Sequence, residues 1–112
     1  MTVSIAIRHR LSAAVDVNVG IETGHRCIGL TGPSGSGKTT VLHIVAGLID
    51  ADHSRIVIGA ERLDDRPPEH RGVGLAMQKP HLFPHLSVKQ NLVFGAGPGP
   101  STRAFDACVE WL

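Results

Sequence analysis

An α/β fold with an antiparallel β portion at its N-terminus is predicted by three stretches of this sequence. AVDVNVGIE (residues 14–22) alternates apolar and polar residues, putting Val15, Val17, Val19 and Ile21 on one face of a strand. RCIGLT (residues 26–31) is a short apolar run leading straight into GPSGSGKTT (residues 32–40). TTVLHIVAGL then changes to a helical period, with Val41, Leu42, Val45, Ala46 and Leu48 apolar. Strand, glycine-rich loop and helix in that order is the unit from which α/β domains are built.

The remaining elements follow in order. SIAIRHR (residues 4–10) alternates weakly and predicts the first strand, and Glu22 to His25 a turn. The helix is expected to end at Gly47 or soon after, glycine being the usual residue just past a helix end. Residues 50–54 read as a polar turn and RIVIGA (residues 55–60) as a strand. ERLDDRPPEH is a loop, because Pro67-Pro68 suits neither a helix interior nor a central strand. GVGLAM (residues 72–77) predicts another short apolar strand, ending at Gln78. Ser87 with Gln90 three residues later is a capping box and starts a short helix.

GAGPGP (residues 95–100) is a linker, and Pro98 and Pro100 exclude a dinucleotide fingerprint there. From Ser101, Phe105, Cys108, Val109 and Leu112 form the stripe of a one-sided helix. The stripe still runs at Leu112, so the chain is expected to stop inside an element.

With 112 residues there is room for one domain at most. Hydrophobic residues make up 42% and charged residues 19%, a balance that folds rather than stays disordered. The formal net charge of +1 supplies no electrostatic reason to expect nucleic acid or an anionic membrane as a partner. Cys27 and Cys108 lie in apolar patterns and read as small buried hydrophobes, with no disulfide and a reducing compartment expected. MTVSIAIRHR lacks a signal-peptide layout, and no run reaches the ~18 apolar residues of a membrane span. Membrane association is expected only through a partner.

Gly32, Pro33, Ser34, Gly35, Ser36, Gly37, Lys38 and Thr39 satisfy G-x-x-x-x-G-K-[ST], the Walker A or P-loop pattern. Its glycines let the backbone wrap phosphate oxygens with successive N–H groups turned inward. The helix that follows presents its positive end to the same phosphates. Lys38 is the candidate ligand for β- and γ-phosphates and Thr39 for Mg²⁺, with Thr40 completing the loop. Each charge-assisted contact is worth roughly 1.5–3 kcal/mol. A glycine turn without phosphate chemistry is the alternative, and the flanking strand and helix count against it.

A second stretch selects among P-loop proteins. RGVGLAMQKPHLFPHLSVKQNLVFG, together with GPSGSGKTTVLHIVAGL, resembles the nucleotide-binding domain of ABC transporters, over nearly the whole chain. Arg71, Gln78, Leu82-Phe83-Pro84-His85, Val88, Asn91 and Phe94-Gly95 match that family in order and spacing. The resemblance implies a P-loop NTPase core and ATP with Mg²⁺ as ligands. It makes Gln78 the Q-loop residue, positioning Mg²⁺ and the attacking water, a role that an amide with both acceptor and donor suits. It implies a second nucleotide-binding subunit as a dimer partner, a transmembrane permease docked near residues 79–87, and a cytoplasmic location peripheral to the inner or plasma membrane. The PPEHR and LFPHLSV wording looks most like importers of oxyanions, molybdate in particular.

Read this way, residues 1–31 are a β arm and the strand into the P-loop, and 32–49 the P-loop and helix. Residues 50–95 hold strands and the Q-loop region, and 96–112 a linker and the start of a helical subdomain. The core is incomplete: the signature motif, the Walker B strand with its catalytic acid and the switch histidine of the family have no counterpart here. Without the Walker B strand, Ile28, Leu30 and the Leu42/Val45 face are expected to lose neighbours, leaving a marginal fold that is not expected to hydrolyse ATP alone. The family's adenine-stacking aromatic is also missing before Phe83, leaving His9 or a flanking arginine to stack.

Other constellations carry less. His81 and His85 are separated by Pro84, which spoils a shared helical face for a metal, and Asp64 and Asp65 read as solvated loop residues. Two rival readings remain: a small P-loop kinase-like phosphotransferase, with ERLDDRPPEHR as its lid, and a non-catalytic module that keeps the permease-docking surface.

Overall fold

The computed structural model describes residues 1–94; the expected linker at 95–100 and helix at 101–112 lie outside them. The chain divides into two compact units, one of residues 1–76 and one beginning at Met77.

The first unit is a four-stranded antiparallel sheet covered on one face by a helix. Strands β1 (Val3–Arg10), β2 (Asp16–Thr23), β3 (His53–Ile58) and β4 (Glu61–Arg62) lie in the order β2-β1-β3-β4. The two N-terminal alternations are therefore strands, as their period predicts. Their register sets Ile5 opposite Ile21 and Ile56, and Ile7 opposite Val19 and Ser54. Ser12 closes the β1–β2 turn, its hydroxyl accepting from the backbone N–H groups of Ala14 and Val15 at 3.3 and 3.1 Å.

Helix α1 (Lys38–Ala46) lays Val41 and Ile44 on this sheet. Ile5, Ile7, Val17, Val41, Ile44, Ile56 and Leu63 form one buried cluster, each contributing roughly 1.5–3 kcal/mol by leaving water. α1 stops where Gly47 turns left-handed at φ 84°, with Gly47 and Leu48 donating to the carbonyls of Ile44 and His43.

Two expected strands are absent. Residues 26–31 and 72–77 belong to no ladder, because every described strand pairs within the antiparallel sheet and none lies against either run. A strand is defined by its partner, and apolar composition does not supply one. Ile28 and Leu42 are accordingly 41% and 47% exposed, whereas Leu30 and Val45 still pack on the core's edge. The turn expected at 50–54 ends earlier, since β3 begins at His53. Cys27, expected to be buried, is exposed. The proline-rich loop carries a 3-10 turn (Pro68–His70), with Pro68 where its missing N–H costs nothing.

Asp64 also departs from expectation. Its side chain is only 6% exposed, and it accepts from the backbone N–H of Ile56 at 2.8 Å and from the Arg62 guanidinium at 2.8 Å. It fastens the chain after β4 back onto β3. The Arg62 hydrogen bond, offset partly by burial and aided by the Ile56 N–H, holds the carboxyl below the usual range. A depressed folded-state pKa gives stability that is present above the unfolded carboxyl value of about 4 and lost as pH falls through the lower folded one. The stability advantage of the native chain over Asp64→Asn is therefore expected to be flat near neutrality and to shrink below about pH 4. Urea unfolding at stepped pH checks this, and an advantage that grows on acidification contradicts it.

The second unit, through Phe94, is a loop tied to helix α2 (Val88–Val93). Both halves of the capping box are made: Ser87 Oγ accepts from the Gln90 N–H at 3.2 Å, and Gln90 Oε1 accepts from the Ser87 N–H at 2.8 Å. Asn91 binds the loop to the helix. Its Oδ1 accepts from the Phe83 N–H at 2.9 Å, and its Nδ2 donates to the carbonyls of Phe83, Leu86 and Ser87.

Candidate functional site

The glycine-rich loop sits between β2 and α1 and is fixed by the core beneath it. Gly37 is buried at the mouth of α1 with φ 101°, and a Cβ there would stand 2.5 Å from Val17 Cγ2. Val17 thus sets the height at which the loop rides on the sheet. Gly35 is also left-handed, at φ 79°. Ser36 closes the turn by donating its backbone N–H to the Pro33 carbonyl at 3.2 Å.

Lys38 folds back over the loop it follows. Its Nζ donates to the carbonyls of Gly32 at 2.7 Å and Pro33 at 2.8 Å, and to Ser36 Oγ at 3.3 Å. All three ammonium protons are engaged, so the positive charge is held above the loop rather than swinging free in solvent. Thr39 is exposed and Thr40 half-buried in the first turn of α1, and Ser34 and Gly35 are exposed at the tip. No acidic side chain stands in that turn, so nothing opposes an anion at the positive end of the helix. Gly32 to Thr40 therefore lie together at the mouth of α1.

Gln78 lies in the other unit, exposed at a bend and without a hydrogen-bond partner among the described residues. Leu82 and Phe83 are 70% and 40% exposed in the same unit. With Leu86, Val88 and Leu92 they line an apolar hollow of about 330 Å³, so α2 supplies part of a surface that the sequence confined to residues 79–87. The Phe83 ring lies 4.5 Å from that of Phe94 and 5.8 Å from that of His85.

Arg71 has a role that its place in the motif did not disclose. Its guanidinium donates to the carbonyls of Ile44 at 2.9 Å, Val45 at 3.1 Å and Arg66 at 2.8 Å. A positive group thereby caps the negative end of the helix whose other end opens the loop. Gly47 makes room for it, since a Cβ there would lie 2.7 Å from Arg71 Nε. Nothing local in the sequence signals this pairing across some 25 residues.

A glycine loop running into a helix N-terminus, with a lysine held over it, defines the P-loop class of NTPases. Within that class the chain belongs to the ABC transporter family, whose model matches residues 15–112. It is 42% identical over 80 residues to the maltose/maltodextrin import ATP-binding protein MalK of Yersinia pestis, covering 71% of this chain and 21% of that one. It is 48% identical over 77 residues to the molybdenum import ATP-binding protein ModC of Granulibacter bethesdensis, covering 69% and 21%. To the sulfate/thiosulfate import ATP-binding protein CysA 2 of Agrobacterium fabrum it is 47% identical over 103 residues, covering 89% and 30%. These matches thus span a fifth to under a third of the relatives' length. No helix among the described residues is long and apolar enough to cross a membrane.

Proposed function

We propose that this chain binds Mg-ATP as the N-terminal part of the nucleotide-binding subunit of an ABC importer. The observation that carries the reading is Lys38 braced over a glycine loop at the positive end of α1. Ser34, Gly35 and Gly37 supply backbone N–H groups for phosphate oxygens, Lys38 the charge, and Ser34, Ser36 and Thr40 flanking hydroxyls. Magnesium bound with nucleotide takes few protein ligands beside phosphate oxygens and water, and the exposed Thr39 hydroxyl fits that need. Gln78 is assigned to the metal and the attacking water in the assembled enzyme, and a second nucleotide-binding subunit to the dimer. The reading gives these 112 residues binding rather than turnover.

The hollow from Leu82 to Leu92 supports docking of a transmembrane permease subunit, which would hold the protein at the cytoplasmic side of the inner or plasma membrane. An oxyanion, molybdate or sulfate, is the proposed class of cargo. Its support is the higher identity to the molybdenum and sulfate proteins, at 48% and 47%, than to the maltose protein at 42%.

Calorimetric titration with Mg-ATP, Mg-ADP and AMP tests the binding site. A cradle for β- and γ-phosphates is expected to hold ATP and ADP at least about tenfold more tightly than AMP, the worth of one charge-assisted contact. Equal affinity for AMP and ATP overturns the reading.

A further inference from the structure

The face of the sheet turned away from α1 presents charges that no carboxylate among the described residues is seen to balance. Alternation along β1 sends Ser4, Ala6, Arg8 and Arg10 to that face, and the register brings His53 opposite Arg8 and Arg55 opposite Ala6. Arg8 and Arg55 are therefore diagonal neighbours on one surface, with His53 beside both. Like charges so placed repel unless a counter-charge lies between them.

The carboxylates at hand are committed elsewhere. Asp16 holds Arg10 at 3.1 Å, Asp64 holds Arg62 and Glu61 holds Arg66. Asp52 accepts the Arg10 backbone N–H at 2.8 Å and lies 3.6 Å from His9. Glu22 stands opposite Ser4, beyond Gly20 on the far strand. Arg8 and Arg55 are both exposed and have no partner among the described residues. Between them is a hollow of about 200 Å³ lined by Ala6, Arg8, His53, Ser54 and Arg55, where Ala6 contributes only a methyl group. Across β1 from it, Gly20 leaves the surface open.

We infer that this hollow is an anion site, in which the guanidinium groups of Arg8 and Arg55 and the imidazole of His53 hold a tetrahedral oxyanion such as sulfate or phosphate. Two guanidinium forks offer paired N–H donors that match the edges of such an ion, and the imidazole adds a further donor. The small floor gives the ion room to sit between the forks. The site lies on the opposite face of the sheet from α1, and it stands whether or not the glycine loop binds ATP.

Sulfate titration followed by amide and arginine Nε chemical shifts tests it, with sodium chloride adjusted to hold ionic strength constant. Saturable shifts are expected at Arg8, His53 and Arg55, and they should persist in Lys38→Ala, which separates this site from the loop. Arg8→Gln with Arg55→Gln is expected to weaken binding about a hundredfold, tenfold for each charge-assisted partner. Ala6→Leu keeps both charges but fills the floor, and should abolish saturation while the far-ultraviolet spectrum stays native. Shifts that chloride reproduces equally overturn the proposal. So do shifts confined to residues 32–40 that vanish in Lys38→Ala.

Discussion

Gly37→Ala is expected to cost about 2–5 kcal/mol of stability: roughly 1–2 for an L-residue held left-handed and 1–3 for overpacking. The cost arises twice at one atom. At φ 101° a Cβ is strained in any surroundings, and here it also meets Val17 Cγ2 at 2.5 Å. Val17 cannot yield easily, since it is 4% exposed and wedged in the core with Ile7 and Val41. Because total stability is only about 5–15 kcal/mol, such a loss threatens the folded state itself. Shortening the opposing side chain separates the two causes. In a cycle with Val17→Ala, the double variant should be more stable than the sum of the single losses by about 1 kcal/mol or more, with the backbone strain remaining. Urea unfolding of the four proteins measures this, and strict additivity would show that Val17 does not set the loop's height.

Lys38→Ala is expected to act in the opposite way, leaving the fold and removing the ligand. The three acceptors of Lys38 Nζ belong to exposed residues, so water replaces the ammonium when it is removed. Stability should change by no more than about 0.5 kcal/mol, as at other surface positions. Affinity for Mg-ATP should fall at least about a hundredfold, because the charge and its preset position disappear together. Lys38→Arg should recover little. A flat guanidinium cannot direct donors to Gly32, Pro33 and Ser36 from one point as an ammonium does. Binding within threefold of the native chain in Lys38→Ala would refute the assignment of this lysine.

The elements that were legible in the sequence share one property. The β1 and β2 alternations, the period of α1, its stop at Gly47 and the Ser87–Gln90 capping box all depend on residues within a few positions of one another. The glycine loop belongs with them, since its shape is written in glycines that must turn left-handed. What is misread depends on which strands pair rather than on local spacing. Residues 26–31 and 72–77 have strand composition but no strand to pair with among the described residues, and Asp64 reads as a solvated loop residue until the β3–β4 hairpin brings Ile56 to it.

Local spacing alone therefore determines a P-loop between a strand-rich arm and a helix, because period, cap and loop geometry are short-range consequences of backbone sterics and hydrogen bonding. The tertiary structure decides the rest. It closes Val17 beneath Gly37, seats Arg71 on the end of α1 and leaves Arg8 and Arg55 on one open face without a counter-charge among the described residues. Each of these joins residues 20 or more positions apart, and packing, burial and charge balance exist only once such residues have been brought into register.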